Sequence, residues 1–199
     1  MAYYLNHRIS YDIDLISIKK LDFNKLLALN VKLGGKYIPD LNKSAFRINI
    51  GEDLREYKMF NVKGIKIEFF YPNDAVRLAV LEKYKNDFKL IEGVKILSLK
   101  GVAELKLLAL LRRNKIRDLF DVFVLIDKNI LDIDTIDKYT AMEYEKTFVE
   151  YIENFKDDGS ESLDFSKENE YSDFADTQDK ENVLKEKIIK LYLQKVSNA

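Results

Sequence analysis

The feature that most constrains this chain is a change of hydrophobic period near its midpoint. Up to about residue 99, apolar side chains tend to alternate with polar ones, the period-two pattern of strands with one buried face. From Lys100 onward they recur at three- and four-residue intervals, as on the buried stripe of a helix. Strands followed by helices imply the α+β class: a mixed-sheet domain over residues 1–99 and a helical bundle over residues 100–199. At 47% hydrophobic, the 199 residues can bury a real core, as one ordinary domain or two small ones.

Residues 10–17 alternate as a short strand, and residues 22–33 carry Phe23, Leu26, Leu27 and Val31 at helical spacing until Gly34-Gly35 ends the helix. Strands are expected over 45–50, 56–62 and 65–71, the last two joined by a tight turn at Asn61-Val62-Lys63-Gly64. A short helix over 75–84 and a last strand over 93–97 complete the first half. In the second half, Leu105, Leu108, Ala109 and Leu111 mark one helix, and Leu119, Phe120, Val122, Phe123 and Leu125 a second. Residues 142–155 and 183–196 supply a third and a fourth. The acidic stretch at about 156–180 has no sustained period and reads as a flexible linker, or equally as a solvated loop with a short helix in it.

Composition narrows the chemistry. Cysteine is absent, which excludes disulfides and thiolate metal sites, and His7 is the single histidine, which removes clustered-histidine zinc and makes a Ser-His-Asp triad improbable. Catalysis would rest on carboxylates, lysines and arginines, the side chains of hard-metal and phosphoryl chemistry. With 33 basic and 34 acidic side chains the chain has no bulk attraction for polyanions. The opening MAYYLNHRIS lacks a signal-peptide pattern and no stretch has the length of a membrane span, so the chain reads as soluble, cytoplasmic and without a membrane partner.

Three constellations stand out. Asp12-Ile13-Asp14 on a strand sends both carboxylates to one face and Ile13 into the core. Carboxylates that close repel one another unless a cation lies between them, and Mg2+ or Mn2+ would serve; two solvated acids are the plainer reading. Glu68 lies within the apolar strand Lys66-Ile67-Glu68-Phe69-Phe70, as a third metal-site carboxylate or as an edge-strand acid opposing aggregation; Glu56 and Asp74 also flank the sheet. In the helical half, Lys106 sits on an apolar face, where it must be paired, point into a cleft or snorkel past its neighbours. Asp118 and Asp121 follow at i,i+3 spacing near a helix start, where capping and dipole complementation account for acids without any function. Arg112, Arg113, Lys115 and Arg117 make a basic patch suited to phosphate or to a solvated turn.

Taken together these motifs resemble a known family. His7-Arg8-Ile9-Ser10-Tyr11-Asp12-Ile13-Asp14-Leu15 is similar to the His-Arg-x-Ser-x-Asp-x-Asp core of the AbiEii/AbiGii-type nucleotidyltransferases, the toxins of abortive-infection toxin–antitoxin systems. Ser98-Leu99-Lys100, Lys106-Leu107-Leu108-Ala109-Leu110 and Arg117-Asp118-Leu119-Phe120-Asp121 resemble the later motifs in the family's order, across most of residues 2–128. The resemblance implies a nucleotidyltransferase-fold domain followed by a helical region. It implies metal binding by Asp12, Asp14 and Glu68, nucleotide contacts from Arg8, Ser10, Lys106 and Arg117, and catalytic or organising roles for Asp118 and Asp121. The reaction implied is attack by a hydroxyl of an RNA (tRNA) or protein acceptor on the α-phosphate of an NTP, with pyrophosphate leaving. Mg2+ or Mn2+ is the implied cofactor and a cognate antitoxin the implied partner. The family pattern also has a Gly-Gly-Thr/Ser turn before the His-Arg motif. By register this sequence starts just after it, so either the true start lies upstream or a shortened member is expected, with a catalytically degenerate nucleotide- or partner-binding protein as the alternative.

Overall fold

The computed structural model describes residues 1–39, 57–72, 74–159, 162–165, 169–174 and 179–198. The chain divides into two compact units, Ser10–Lys83 and the pair of segments Met1–Ile9 and Tyr84–Ala199. The secondary structure is mixed, as the change of period implies, and the class is α+β.

Among the described residues, the smaller unit has a four-stranded sheet in the order β1-β4-β3-β2, with β1 Asp12–Ile16, β2 Gly35–Ile38, β3 Tyr57–Val62 and β4 Ile65–Phe70. β1 runs parallel to β4, and the other pairings are antiparallel. Between β1 and β2 lies α2 (Phe23–Lys32), started by the Asp22 carboxylate accepting from the Lys25 amide at 3.2 Å. Gly34 ends it in the left-handed region, φ +73°. β3 and β4 form the expected hairpin: Lys63 and Gly64 have φ of 52° and 88°, and the Gly64 amide donates to Asn61 Oδ1 at 2.9 Å. The strand expected over 45–50 and the Glu56 end of the next lie outside the described residues. The helix expected over 75–84 is α3, Ala75–Lys83.

The sheet's apolar face is organised by rings. Phe23 of α2 meets Tyr37 of β2 at 5.2 Å between centroids, Tyr37 meets Phe60 of β3 at 5.5 Å, and Phe60 meets Phe69 of β4 at 5.7 Å. This corrects the placement of Ile13 in the core. β1 is the edge strand farthest from β2, and α2 packs on β2 and β3. Ile13 shares the apolar face yet remains 47% exposed.

The larger unit begins with the short α1 (Ala2–Leu5) and resumes with the hairpin β5 (Phe88–Ile91) and β6 (Val94–Leu97). Ser98 then caps α4 (Leu99–Arg112), its hydroxyl accepting from the Gly101 amide at 3.3 Å. Gly101 is required for close approach: a Cβ there would meet Leu97 Cγ at 2.9 Å and Tyr84 Cγ at 3.0 Å. α5 (Ile116–Asp127) is the central element, with every residue from Asp118 to Ile126 buried.

The third helix expected over 142–155 is the shorter α7, Phe148–Asn154, and a helix the sequence did not announce, α6 (Ile133–Glu143), precedes it. The break between them is chemical: Thr147 and Glu150 form a capping box, each side chain accepting from the other's amide. α8 (Lys180–Ser197) covers the fourth expectation, and α5 and α7 both pack against it.

Over its described residues, the acidic stretch between α7 and α8 packs on the bundle. Leu163, Tyr171 and Phe174 are buried, and a 3-10 turn spans Ser172–Phe174. The rings of Phe165, Tyr171 and Phe174 surround Phe120 at 5.1, 5.5 and 5.6 Å. Among the described residues, no helix is long and apolar enough to cross a membrane.

Candidate functional site

The His-Arg-x-Ser-x-Asp-x-Asp motif is shared between the units: His7, Arg8 and Ile9 belong to the helical unit, and Ser10 onward to the sheet unit. Each unit carries its own charged cluster.

In the sheet unit the parallel register pairs Asp12 with Lys66 and Asp14 with Glu68, so all four side chains share the face opposite the aromatic one. Glu68 lies on an interior strand between β1 and β3, which removes the reading of an edge-strand acid. Lys66 Nζ lies 2.7 Å from Glu68 Oε1 and 3.1 Å from Asp12 Oδ2. Burial disfavours its charge, but hydrogen bonding and attraction to Glu68 and Asp12 outweigh this and raise its pKa. Asp12 and Glu68 are half-buried and Asp14 is exposed. Ser10 is exposed, its hydroxyl 3.4 Å from the Asp12 carbonyl to which it donates. Asp74 holds the start of α3, accepting from the Arg77 amide at 2.8 Å. Glu56 lies outside the described residues.

Carboxylate oxygens are the donors a hard divalent cation takes, one or two of them sufficing where substrate phosphates complete the shell. The cation now paired with Asp12 and Glu68 is the Lys66 ammonium, and among the described residues no three acidic or histidine side chains are spaced to ligate one ion.

The helical unit carries a buried ion network centred on Asp121. Asp121 Oδ1 accepts from His7 Nε2 at 2.6 Å and from Arg8 Nε at 2.8 Å. Oδ2 accepts from Arg8 Nη2 at 2.9 Å and pairs with Lys106 Nζ at 2.8 Å. Lys106, 22% exposed at its side chain, lies 3.6 Å from Asp118 Oδ1 as well. Lys106 is thus neither snorkelling nor unpaired: it bridges both aspartates of α5 from α4. Asp118 receives Arg113 in two prongs, Nε to Oδ2 at 2.6 Å and Nη2 to Oδ1 at 3.0 Å. The residue at the cap of α5 is Lys115, so neither aspartate caps the helix, although Asp118 lies in its first turn, where an acid complements the helix dipole.

Burial alone would raise the Asp121 carboxyl; Lys106, His7 and Arg8 outweigh it and hold it well below the carboxylate range. Burial likewise opposes the charge of Lys106, and Asp121 and Asp118 outweigh it. For His7 burial prevails over the Asp121 hydrogen bond and lowers the pKa. Its Nε2–H donates to the carboxylate, and Nδ1 is buried without a hydrogen-bond partner among the described residues. Its ring stacks on Phe120 at 5.9 Å and 5°.

The basic patch is largely committed within the fold. Arg112 forks onto Glu143 of α6 at 2.9 and 2.5 Å, and Arg113 holds Asp118. Arg117 is half-buried in the first turn of α5. Sequence reasoning assigned no role to Lys66 or His7. Lys66 was findable, because its i,i+2 spacing from Glu68 puts both on one face. His7 pairs across 114 residues, which no local pattern carries.

Residues 1–188 match the family described as nucleotidyl transferase AbiEii toxin, type IV TA system. The chain belongs to this family of nucleotidyltransferase toxins. It is also similar to the crystal structure of a candidate nucleotidyltransferase from H. pylori, at 18% identity and a TM-score of 0.47, covering 99% of this chain and 84% of that one. Among curated proteins, none matches.

Proposed function

We propose that this protein is a metal-dependent nucleotidyltransferase that inhibits growth by transferring a nucleotide from an NTP to an RNA (tRNA) or protein acceptor in the cytoplasm, restrained by a cognate antitoxin. The observation that carries the reading is the in-register pairing of Asp12 and Asp14 on β1 with β4, which brings Glu68 to the same sheet face in a chain of this family.

Asp12, Asp14 and Glu68 are the residues that would hold Mg2+ or Mn2+. Such an ion, when bound, offsets charge on the transferring phosphoryl group. Lys106 is the phosphate contact of the helical unit, held there by Asp121 and Asp118; Arg8, Arg117 and Ser10 are further nucleotide contacts. His7 and Asp121 are positioning residues that fix Arg8 and Lys106. In the transfer, a bond forms between the acceptor hydroxyl oxygen and the α-phosphorus, the bond to pyrophosphate breaks, and the hydroxyl proton passes to water. Asp118 and Asp121 are paired acids that orient cations.

The test is transfer of label from each α-phosphate-labelled NTP to total RNA and to total protein, with Mg2+ or Mn2+ and with chelator. We expect label in one acceptor class, with metal only. No transfer from any of the four NTPs to either acceptor class would sink the reading.

A further inference from the structure

We propose that Lys66 is a built-in counter-ion of the sheet carboxylates, which a divalent ion must displace, so that the site takes up metal readily only when a triphosphate accompanies it. The inference rests on the metal-binding reading of Asp12, Asp14 and Glu68 given above.

Three observations carry it. Lys66 is the register partner of Asp12 and lies two residues before Glu68 on the same strand, so its side chain emerges among the acids. Its ammonium lies 3.1 Å from Asp12 and 2.7 Å from Glu68, within the reach of direct ion pairing to both. Its side chain is 34% exposed, so the flexible stem has a route to solvent. A dication drawing on the same oxygens would stand close to this ammonium, and like charges at that range repel strongly. Lys66 must therefore swing away. It then needs an anion, and the phosphates of an incoming nucleotide supply one. A bare ion offers no such partner and is disfavoured.

The experiment measures Mn2+ uptake by loss of the free-ion electron paramagnetic resonance signal. The proteins are the wild type, Lys66→Met, Lys66→Arg and the double variant Lys66→Met/Asp12→Asn, with melting temperatures confirming the fold of each. We expect Lys66→Met to bind Mn2+ alone about tenfold more tightly than wild type, from removal of one adjacent like charge. Lys66→Arg should bind it as weakly as wild type, and the double variant should lose the gain. Adding an equimolar mixture of the four α,β-methylene NTP analogues should tighten Mn2+ binding markedly in wild type and little in Lys66→Met.

Equal or weaker Mn2+ binding by Lys66→Met, with binding still lost on Asp12→Asn, overturns the counter-ion role and leaves the metal site standing. No Mn2+ uptake by any of these proteins, with or without the analogues, overturns the metal site and the counter-ion with it.

Discussion

Arg8 and Asp121, 113 residues apart in sequence, form a two-pronged ion pair, with Nε 2.8 Å from Oδ1 and Nη2 2.9 Å from Oδ2. The pair joins the N-terminal segment of the helical unit to α5, and both side chains are buried. A buried ion pair adds little net stability over an apolar replacement, but removing one partner strands the other charge. Asp121→Ala leaves Arg8 and Lys106 without their shared carboxylate. We expect it to cost about 3–5 kcal/mol in urea unfolding, with Asp121→Asn costing less because it keeps the shape and one acceptor. A loss under 1 kcal/mol for the alanine variant would contradict the network.

The same network sets the pH dependence. His7 has a folded pKa below its ordinary 6.5 and Asp121 one below its ordinary 3.8, so in both cases the unfolded chain binds more protons. Stability therefore rises with pH through each window. The His7 contribution is complete above about 6.5 and is lost as pH falls toward its folded pKa. The Asp121 contribution is lost further down, below 3.8. Because His7 is the single histidine, the loss as pH falls below 6.5 should flatten in His7→Gln. Thermal melts of both proteins from pH 5 to 8 check it, and parallel profiles would contradict it.

Phe120 tests the packing of the segment between α7 and α8. Its ring touches those of His7, Phe165, Tyr171 and Phe174 and is fully buried. Phe120→Ala should cost about 3–5 kcal/mol. Phe174→Ala should lower stability less and speed limited proteolysis between α7 and α8. Unchanged cleavage there would mean the segment is not held by its aromatic residues.

Gly35 is a backbone test in the sheet unit. A Cβ there would meet Val62 Cγ2 at 2.8 Å and the Asn30 carbonyl oxygen at 2.9 Å. A backbone carbonyl cannot step aside as a side chain can, so Gly35→Ala should destabilise the unit by about 1–3 kcal/mol. Gly64→Ala, where nothing lies within 4 Å, isolates the separate cost of a positive φ.

Much of the fold was legible because period and punctuation agreed. Alternation marked β1 and β4, Asp22 and Gly34 bounded α2, and the apolar stripes of α4 and α5 were strong enough to stand alone. β2 was hidden because Gly34-Gly35 reads as a stop, while Gly35 is also the first residue of a strand. α6 was hidden because it buries only Ile136, Tyr139 and Thr140, too few to make a stripe; the capping signal at Asp132 was the available clue. The Thr147/Glu150 box that separates α7 from α6 was readable but outweighed by apolar residues on either side. The candidate site was legible as residue types and motif order. The pairings of Arg8, His7 and Lys106 with Asp121 were not, because they join residues distant in sequence.

The central claim is that Asp12 and Asp14 carry the metal of a nucleotide transfer. Its most direct measurement is the rate of transfer from α-phosphate-labelled NTP to the accepting RNA or protein, in wild type, Asp12→Ala and Asp14→Ala with matched melting temperatures. We expect each variant to lose about a hundredfold or more, as befits loss of charge stabilisation at a transferring phosphoryl group. Transfer at the wild-type rate in both variants would contradict the mechanism.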